Sequence, residues 1–580
     1  MRKFLLISGV AAAALMTAPA YGQSNNSTVT QGGSAQTATV TQTGTSGSSV
    51  VDQDGADHDA TLSQSGTGNG SNVKQRGVNN SAAVTQSGST NASAVDQSGA
   101  GNSATVGQSG STNASTVLQD GNDSIGSVSQ AGGGDSALVN QSGDAQQAYI
   151  SQGAGSSNSD ATISQSGADN WAQASQNGNN NSTVINQNGA NLAGTPAPDA
   201  PPPSYTGAVS NYASVSQTGS NSVANINQAG NNRAAVNQMY APGNDQRAYI
   251  NQSTVPAAGA ENGAFVIQRG TNIQTNIDQS GGAENLANVD QEVTYDSTVA
   301  IGQSGSQNRA VVDQSGATGA STVASQTGNN QDAYVRQSGV GASSWSNQYG
   351  GNGNALYVVQ NDDSASTITQ NGNNNEASVN QNGNGNSSNI AQSGNGNGVG
   401  DVTNGGSSYN PTSNNTTGVT QTGTNNVSDV AQTGSNAYAQ VKQQGAGNNS
   451  DVDQLSDSDA FVDQIGAGNA SVVYQTAAAT GSVANVDQLG DNGISNVQQT
   501  GASNTANVTQ TAGSSYADSY VDQSGAGNLA SVTQGAMGNQ SDIYQSGNGN
   551  TATVGQYTNS NSSFVNQSGN GNAATVTQGM

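Results

Sequence analysis

The sequence predicts an all-β fold: a β-solenoid with two strands in each rung of about 22 residues. Three observations predict it. A glutamine preceded two residues earlier by Val, Ile or Leu returns every eleven residues from Gln31, Gln42 and Gln53 through to Gln152. The same series runs from Gln421 to Gln454 and from Gln523 to Gln578. Between glutamines, apolar or amide residues alternate with small or polar ones, the period-two pattern of a strand with one buried face.

The unit after Gln97 shows each element in order. In Asn102-Ser103-Ala104-Thr105-Val106-Gly107-Gln108 every second residue is Asn, Ala, Val or Gln, and these are the inward set. Ser109-Gly110-Ser111-Thr112 follows as the turn, with Gly110, like Gly99 one unit earlier, expected to supply a positive φ. Asn113 then opens the next strand. One strand cannot bury its face alone, so two units form a rung and rungs stack at about 4.7–4.9 Å. Inward Asn and Gln are expected to align as amide ladders, since each amide both donates and accepts, with Ala and Val as the dry contact. The result is a cross-β, amyloid-like column.

Composition agrees with a thin, repeated core. Only 31% of residues are hydrophobic and 8% charged, with 78 glycines. A typical domain is about 45–50% apolar and about 25% charged, so several conventional cores are excluded. Cysteine is absent, which removes disulfides and thiolate chemistry. A net charge of −26 with ten Lys and Arg would repel phosphate backbones, so no nucleic-acid partner is expected.

The parity of the bulky and charged residues supports the strand phase. Trp171, Trp345, Tyr149, Tyr249, Tyr334, Tyr357, Phe461 and Phe564 all lie an odd number of residues before a glutamine, and so do Asp52, Asp96, Asp278 and Asp453. Rings and charges thereby avoid a narrow interior.

Residues 1–22 read as a secretory signal, with Arg2 and Lys3 ahead of an apolar run from Phe4 to Met16 and Ala18-Pro19-Ala20 as a cleavage site. No later apolar run is long enough to insert in a membrane. Repeats then occupy 23–189, a Pro-rich linker or loop 190–210, repeats with insertions 211–393, an Asn/Gly/Ser-rich interruption 394–418, and repeats again 419–580. The smaller insertions fall around Tyr240 to Asp245 and Val255 to Gly263.

No catalytic site, metal or cofactor is expected. His58 is the one histidine and lies where a strand usually begins with Asn; it reads as a surface or rung-end variant. The aspartates sit on the outer face without a pocket, and the eleven-residue period differs from that of calcium-binding β-rolls. Gly394-Asn395-Gly396 has no strand–helix context for a nucleotide.

The unit Gln97-x-Gly99-x-x-Asn102-x-Ala104-x-x-x-Gln108 resembles the curlin repeat of bacterial curli fibres, Ser-x5-Gln-x-Gly-x-x-Asn-x-Ala-x3-Gln. The same set returns at Gln545, Gly547, Asn550, Ala552, Val554 and Gln556, and at Gln567, Gly569, Asn572, Ala574, Val576 and Gln578. The resemblance implies a structural fibre subunit, extracellular and at the cell surface, in biofilm and adhesion. It implies self-association into a homopolymer, a curli-type nucleator, an outer-membrane secretion pore and accessory chaperones as partners. This chain departs from the family in length, and in having Asn at Asn91 and Asn113 where the repeat has Ser, so that its two half-repeats look nearly alike. An eleven-residue slip is then weakly penalised.

Stacked units place Asp290 over Asp313 and Asp463 over Asp487. Like charges at rung spacing oppose assembly, so these four read as gatekeepers, and assembly should quicken as pH falls. The alternative is a monomeric surface solenoid that binds ice, a glycan or another surface ligand. Against it, the residue before the glutamine varies irregularly through Thr41, Asp52, Ser63, Lys74, Thr85, Asp96 and Gly107.

Overall fold

The computed structural model of the chain describes residues 24–189, 211–239, 245–254, 260–399 and 418–579. The expected signal segment and the Pro-rich 190–210 segment lie outside them. Two compact units divide the chain, the first ending at Thr294 and the second beginning at Tyr295. Among the described residues all regular structure is β.

In the first unit the chain alternates between two parallel sheets. Strand Ala92–Ala100 belongs to one and Ser103–Ser111 to the other. Each pairs with strands of its own sheet one rung away, so that Val95 lies in register with Val117 and Val106 with Val128. The second unit repeats the plan, with Val521 opposite Ile543 in one sheet and Val532 opposite Val554 in the other. This is the two-strand rung that the eleven-residue spacing predicts. The inward faces form a single-file core of Ala, Val and Ile at 0–2% exposure, for example Ala60, Val73, Ala104 and Val106.

Rung length varies while the glutamine register does not. Gln176 bonds Gln217 at 2.9 Å across 41 residues of sequence, and Gln238 bonds Gln268 at 2.8 Å across 30. In the second unit one strand level is filled by two pieces. Gly398–Val399 pairs with Glu376 and Ala377, and Gly418–Thr424 continues on Ser378 to Asn382. Gly398, Val399 and Gly418, inside the segment read as an interruption at 394–418, therefore lie within the sheet.

The glycine two residues after the glutamine has the positive φ expected of it at Gly77, Gly88, Gly99 and Gly121, but it has a second cause as well. Strands run on through it, as in Ala92–Ala100 and Ser103–Ser111. Gly99 has φ +95°, but Gly110 is not in the left-handed region at all. What both share is contact with the next rung: an added Cβ would overlap the carbonyl oxygen of Gly121 at Gly99 and of Gly132 at Gly110. The left-handed residue comes two positions later, at Asn79, Gly101, Thr112 and Asp123, with φ of 54–70°. There the reversed backbone sends the N–H of Thr112 back to Ser89 O at 2.9 Å and that of Asp123 to Ala100 O at 2.9 Å.

Gly99→Ala is accordingly expected to destabilise the rungs around it by roughly 1–3 kcal/mol. Gly107→Ala, on the outer face with nothing within 4 Å, should change stability by less than about 0.5 kcal/mol. Hydrogen exchange of strands Ala92–Ala100 and Ala114–Asn122 compares the two; equal effects would contradict the packing argument.

Candidate functional site

The chemistry of this chain is concentrated in its interior rows. Gln97 is fully buried; its Nε2 donates to Gln119 Oε1 at 2.8 Å and to Ser81 O on the opposite sheet at 2.9 Å. Gln108 does the same with Gln130 Oε1 at 2.8 Å and Ala92 O at 2.9 Å. One amide hydrogen thus runs along the stack and the other crosses the core. In the second unit Gln545 donates to Gln567 Oε1 at 2.8 Å and Gln556 to Gln578 Oε1 at 2.7 Å. The bonds between buried glutamines, such as Gln97–Gln119 and Gln545–Gln567, are shielded from water, and an amide left without one would bear a desolvation cost of about 1–3 kcal/mol.

Asparagine works differently from glutamine. The backbone N–H of Asn113 donates to Asn91 Oδ1 at 3.0 Å, and that of Asn102 to Asn80 Oδ1 at 3.0 Å. Asn102 Nδ2 donates to Ser98 O and Gly121 O, both at 2.8 Å, and Asn113 Nδ2 to Gly132 O at 3.0 Å. The row fastens each corner to the strand start of the next rung. Asn550 repeats this against Ser546 O, Gly569 O and Asn528 Oδ1, and the Asn572 N–H reaches Asn550 Oδ1 at 2.9 Å. Ala104, Val106, Ala552 and Val554 are buried between these rows. Gly547 and Gly569 both have φ +96°. Ala574 and Val576, in the last strand, are half-exposed.

His58 corrects an expectation. It stands at a rung end but is 1% exposed and occupies the asparagine position. Its Nδ1 accepts the Asn80 N–H at 3.3 Å and its Nε2 lies 3.3 Å from Asp54 O. A neutral imidazole has one acceptor and one donor, so it can take the place of the amide.

A second signal, not read from the sequence, distinguishes the half-repeats. Four residues before the glutamine, one sheet carries Ser71, Ser93 and Ser115 where the other carries Ala60, Ala82 and Ala104. The second unit repeats this with Ser495, Ser519 and Ser541 against Ala506, Ala530 and Ala552. These serine hydroxyls are buried with no hydrogen-bond partner. An eleven-residue slip would therefore set Ser in an Ala row at these levels.

The aromatic residues stand on the outer faces and stack between rungs. The Trp171 ring lies 4.6 Å from Tyr212 and nearly parallel to it, and Tyr334 lies 5.0 Å from Tyr357. Charges are also arranged between rungs, with Arg76–Asp96 at 3.0 Å and Lys442–Asp463 at 3.3 Å. Such exposed pairs contribute only about 0–1 kcal/mol each.

Of the four gatekeeper candidates, Asp463 and Asp487 are in register on adjacent rungs of the second unit. Lys442 offsets Asp463 from its other side. Burial, then the Asp463 charge, raise the Asp487 carboxyl above its ordinary value. Asp290, in the first unit, is half-buried on the outer face. Asp313, in the second, faces Arg336 at 3.8 Å. Asp429 and Asp451, which no stacking of the four candidates includes, are also in register. Asp451 is raised by burial and then by Asp453 and Asp429. Burial also raises Asp453, Asp459, Asp518 and Asp522.

Nine segments of the chain, residues 33–66, 66–99, 77–110, 99–132, 157–189, 362–397, 412–445, 536–569 and 547–579, match the family profile described as Curlin associated repeat. A comparison with curated proteins finds no match.

The raised carboxyls give the second unit a signed pH dependence. A folded value above the unfolded 3.8 means the folded state holds the proton more tightly. The penalty is absent below 3.8 and complete once pH exceeds the raised folded values, so stability is expected to rise as pH falls from neutral toward that window. Intrinsic-rate-corrected hydrogen exchange in strands Asp459–Ala467 and Val483–Gln488 should show greater protection in mild acid. Asp487→Asn should reduce the slope; protection that falls with acidification would contradict this assignment.

Proposed function

The chain belongs to the curlin-repeat family, and we propose that it is a secreted structural subunit of an extracellular amyloid-like fibre. In this reading it grows by templated β-strand stacking at the cell surface, serves biofilm matrix and adhesion, and is not an enzyme. Its partners are copies of itself, together with a nucleator, an outer-membrane secretion pore and accessory chaperones.

The observation that carries the reading is the state of the terminal strands. Asn26–Ser34 pairs along one edge with Ser48–Ala56, and Thr37–Gln42 with Asp59–Gln64. At the other terminus Ser562–Ser568 pairs with Gln540–Ser546, and Ala573–Gln578 with Thr551–Gln556. Among the described residues no strand covers their remaining edges. Inward side chains are uncovered there: Val29 is 41% exposed, against 0% for its in-register neighbour Val51. Unpaired edges of this kind are templates for another chain.

The glutamine rows give these edges a direction. Gln31 and Gln42 donate inward to Gln53 and Gln64, which leaves Oε1 as an acceptor at each. Gln567 and Gln578 each use an amide hydrogen on Thr551 O and Ser562 O, with the second hydrogen left to donate. Head-to-tail addition matches donor to acceptor, whereas like ends brought together oppose like groups. The outward aspartates act as gatekeepers on formation of the stack itself, with Asp487 and its neighbour Asp463 supplying the repulsion in the second unit. The irregular outer face disfavours the monomeric ligand-binding alternative.

Purified mature chain is expected to form thioflavin-positive fibres with a lag that preformed fibre fragments abolish and that shortens between neutral and mildly acidic pH. Monomers that stay soluble at high concentration in the presence of seeds would contradict the assembly reading.

A further inference from the structure

The chain has no cysteine, so disulfides cannot join its rungs, and a covalent link between them must use other side chains. Outward rings held at rung spacing offer one. In the second unit Tyr334 and Tyr357 lie in register on adjacent levels of one sheet. Their ring centroids are 5.0 Å apart and their planes differ by 7°. Both side chains are half-buried on the outer face, so each ring keeps part of its surface in solvent.

The neighbours hold this pair in place. Two residues before Tyr334, Asp332 meets Arg309 at 3.4 Å; two residues after it, Arg336 meets Asp313 at 3.8 Å. Both ion pairs tie the Tyr334 level to the level below, on either side of the ring. Ala355 and Val359 flank Tyr357 on its own strand. Other tyrosines lack this arrangement. Tyr520 and Tyr544 are 5.4 Å apart but inclined by 37°, and they stand on a diagonal, with Asp542 opposite Tyr520. Tyr249 lies between Asn225 and Asn276. Only a face-to-face pair in register brings the ortho carbons of two phenols together along the stack.

We propose that Tyr334 and Tyr357 are a site of oxidative modification, joined as dityrosine by a small one-electron oxidant such as the carbonate radical. Each ring gives up one electron and its phenolic proton, and two carbonate radicals become two hydrogencarbonate ions. The two phenoxyl radicals join through the ring carbons beside the oxygen-bearing carbons, and the hydrogen displaced from each joined carbon returns to the oxygen. One carbon–carbon bond forms, two hydrogen atoms are lost in all, and both hydroxyls are restored. The product staples one rung to the next on the flank of the sheet. It does not involve the terminal strand edges and is independent of the assembly reading.

Photo-oxidation of the dilute mature chain with tris(bipyridyl)ruthenium and persulfate tests this. Trypsin then separates the two tyrosines, because Arg336 lies between them, and mass spectrometry identifies joined peptides two hydrogens light. The Tyr334–Tyr357 link is expected to be the most abundant dityrosine, about tenfold or more above its yield in urea-unfolded chain, because the fold supplies the proximity. Tyr357→Phe keeps a ring in the stack and should abolish the link at Tyr334. Tyr349→Phe removes a nearby exposed phenol and should leave it unchanged. Hydrogen exchange of strands Asp332–Gln337 and Ala355–Gln360 shows whether each variant keeps its fold. A yield no higher than in urea, an equally abundant link at Tyr249, an undiminished link at Tyr334 in folded Tyr357→Phe, or an equal loss in Tyr349→Phe would overturn the proposal.

Discussion

The buried glutamine amide is the constraint on which the rest of the structure depends. Each Nε2 carries two hydrogens, and here they go in perpendicular directions, one to the next rung and one across the core. No other side chain of this length offers two donors and an acceptor without charge. Once the amide is placed inside, every rung must present a glutamine at the same level. That requirement explains why the register survives rungs of very different length, as at Gln176 and Gln217. It also fixes the slender cross-section. Both sheets must stand close enough for Gln108 to reach Ala92 O, and among the described residues the space between them takes Ala, Ser, Val, Ile and Leu but no Phe, Tyr or Trp.

The corners follow from the same closeness. Backbones at successive turns approach until Gly99 faces the Gly121 carbonyl without space for a Cβ. The asparagine that follows then bonds the corner carbonyls and the next strand start together. Glutamine therefore holds the strands and asparagine the turns, and together they satisfy polar groups that a thin core could not bury otherwise. The outer faces are freed from packing duties. Acidic residues can accumulate there, and where they meet at rung spacing, as Asp463 and Asp487 do, they weigh against the stack that carries them.

Much of this was legible in the sequence because a strand alternates with period two and the repeat is odd. Ala104, Val106 and Gln108 announce one face, and the parity of Trp171 or Phe461 announces the other. What was not legible has physical causes. A glycine that avoids collision with the next rung looks in sequence like one that needs a positive φ, so Gly110 was assigned the wrong reason. The left-handed position is held by Thr112 as readily as by Gly101, because its strain is offset by a bond to the rung before. His58 was not recognised as an amide substitute, since composition does not show which atoms a corner requires. The Ser and Ala rows were hidden by the resemblance of the half-repeats in every other position. Outward aromatics were correctly phased, but their stacking, as in Trp171 on Tyr212, depends on rung pairing across an insertion.

The side-chain amide protons of the interior glutamines give the most direct measurement. Site-resolved NMR exchange on mature, assembled chain would follow Nε2 of Gln86, Gln97 and Gln108 against the backbone amides of the same strands. The ladder requires these side-chain protons to exchange as slowly as the backbone around them. Exchange at the rate of a free, hydrated glutamine would contradict it.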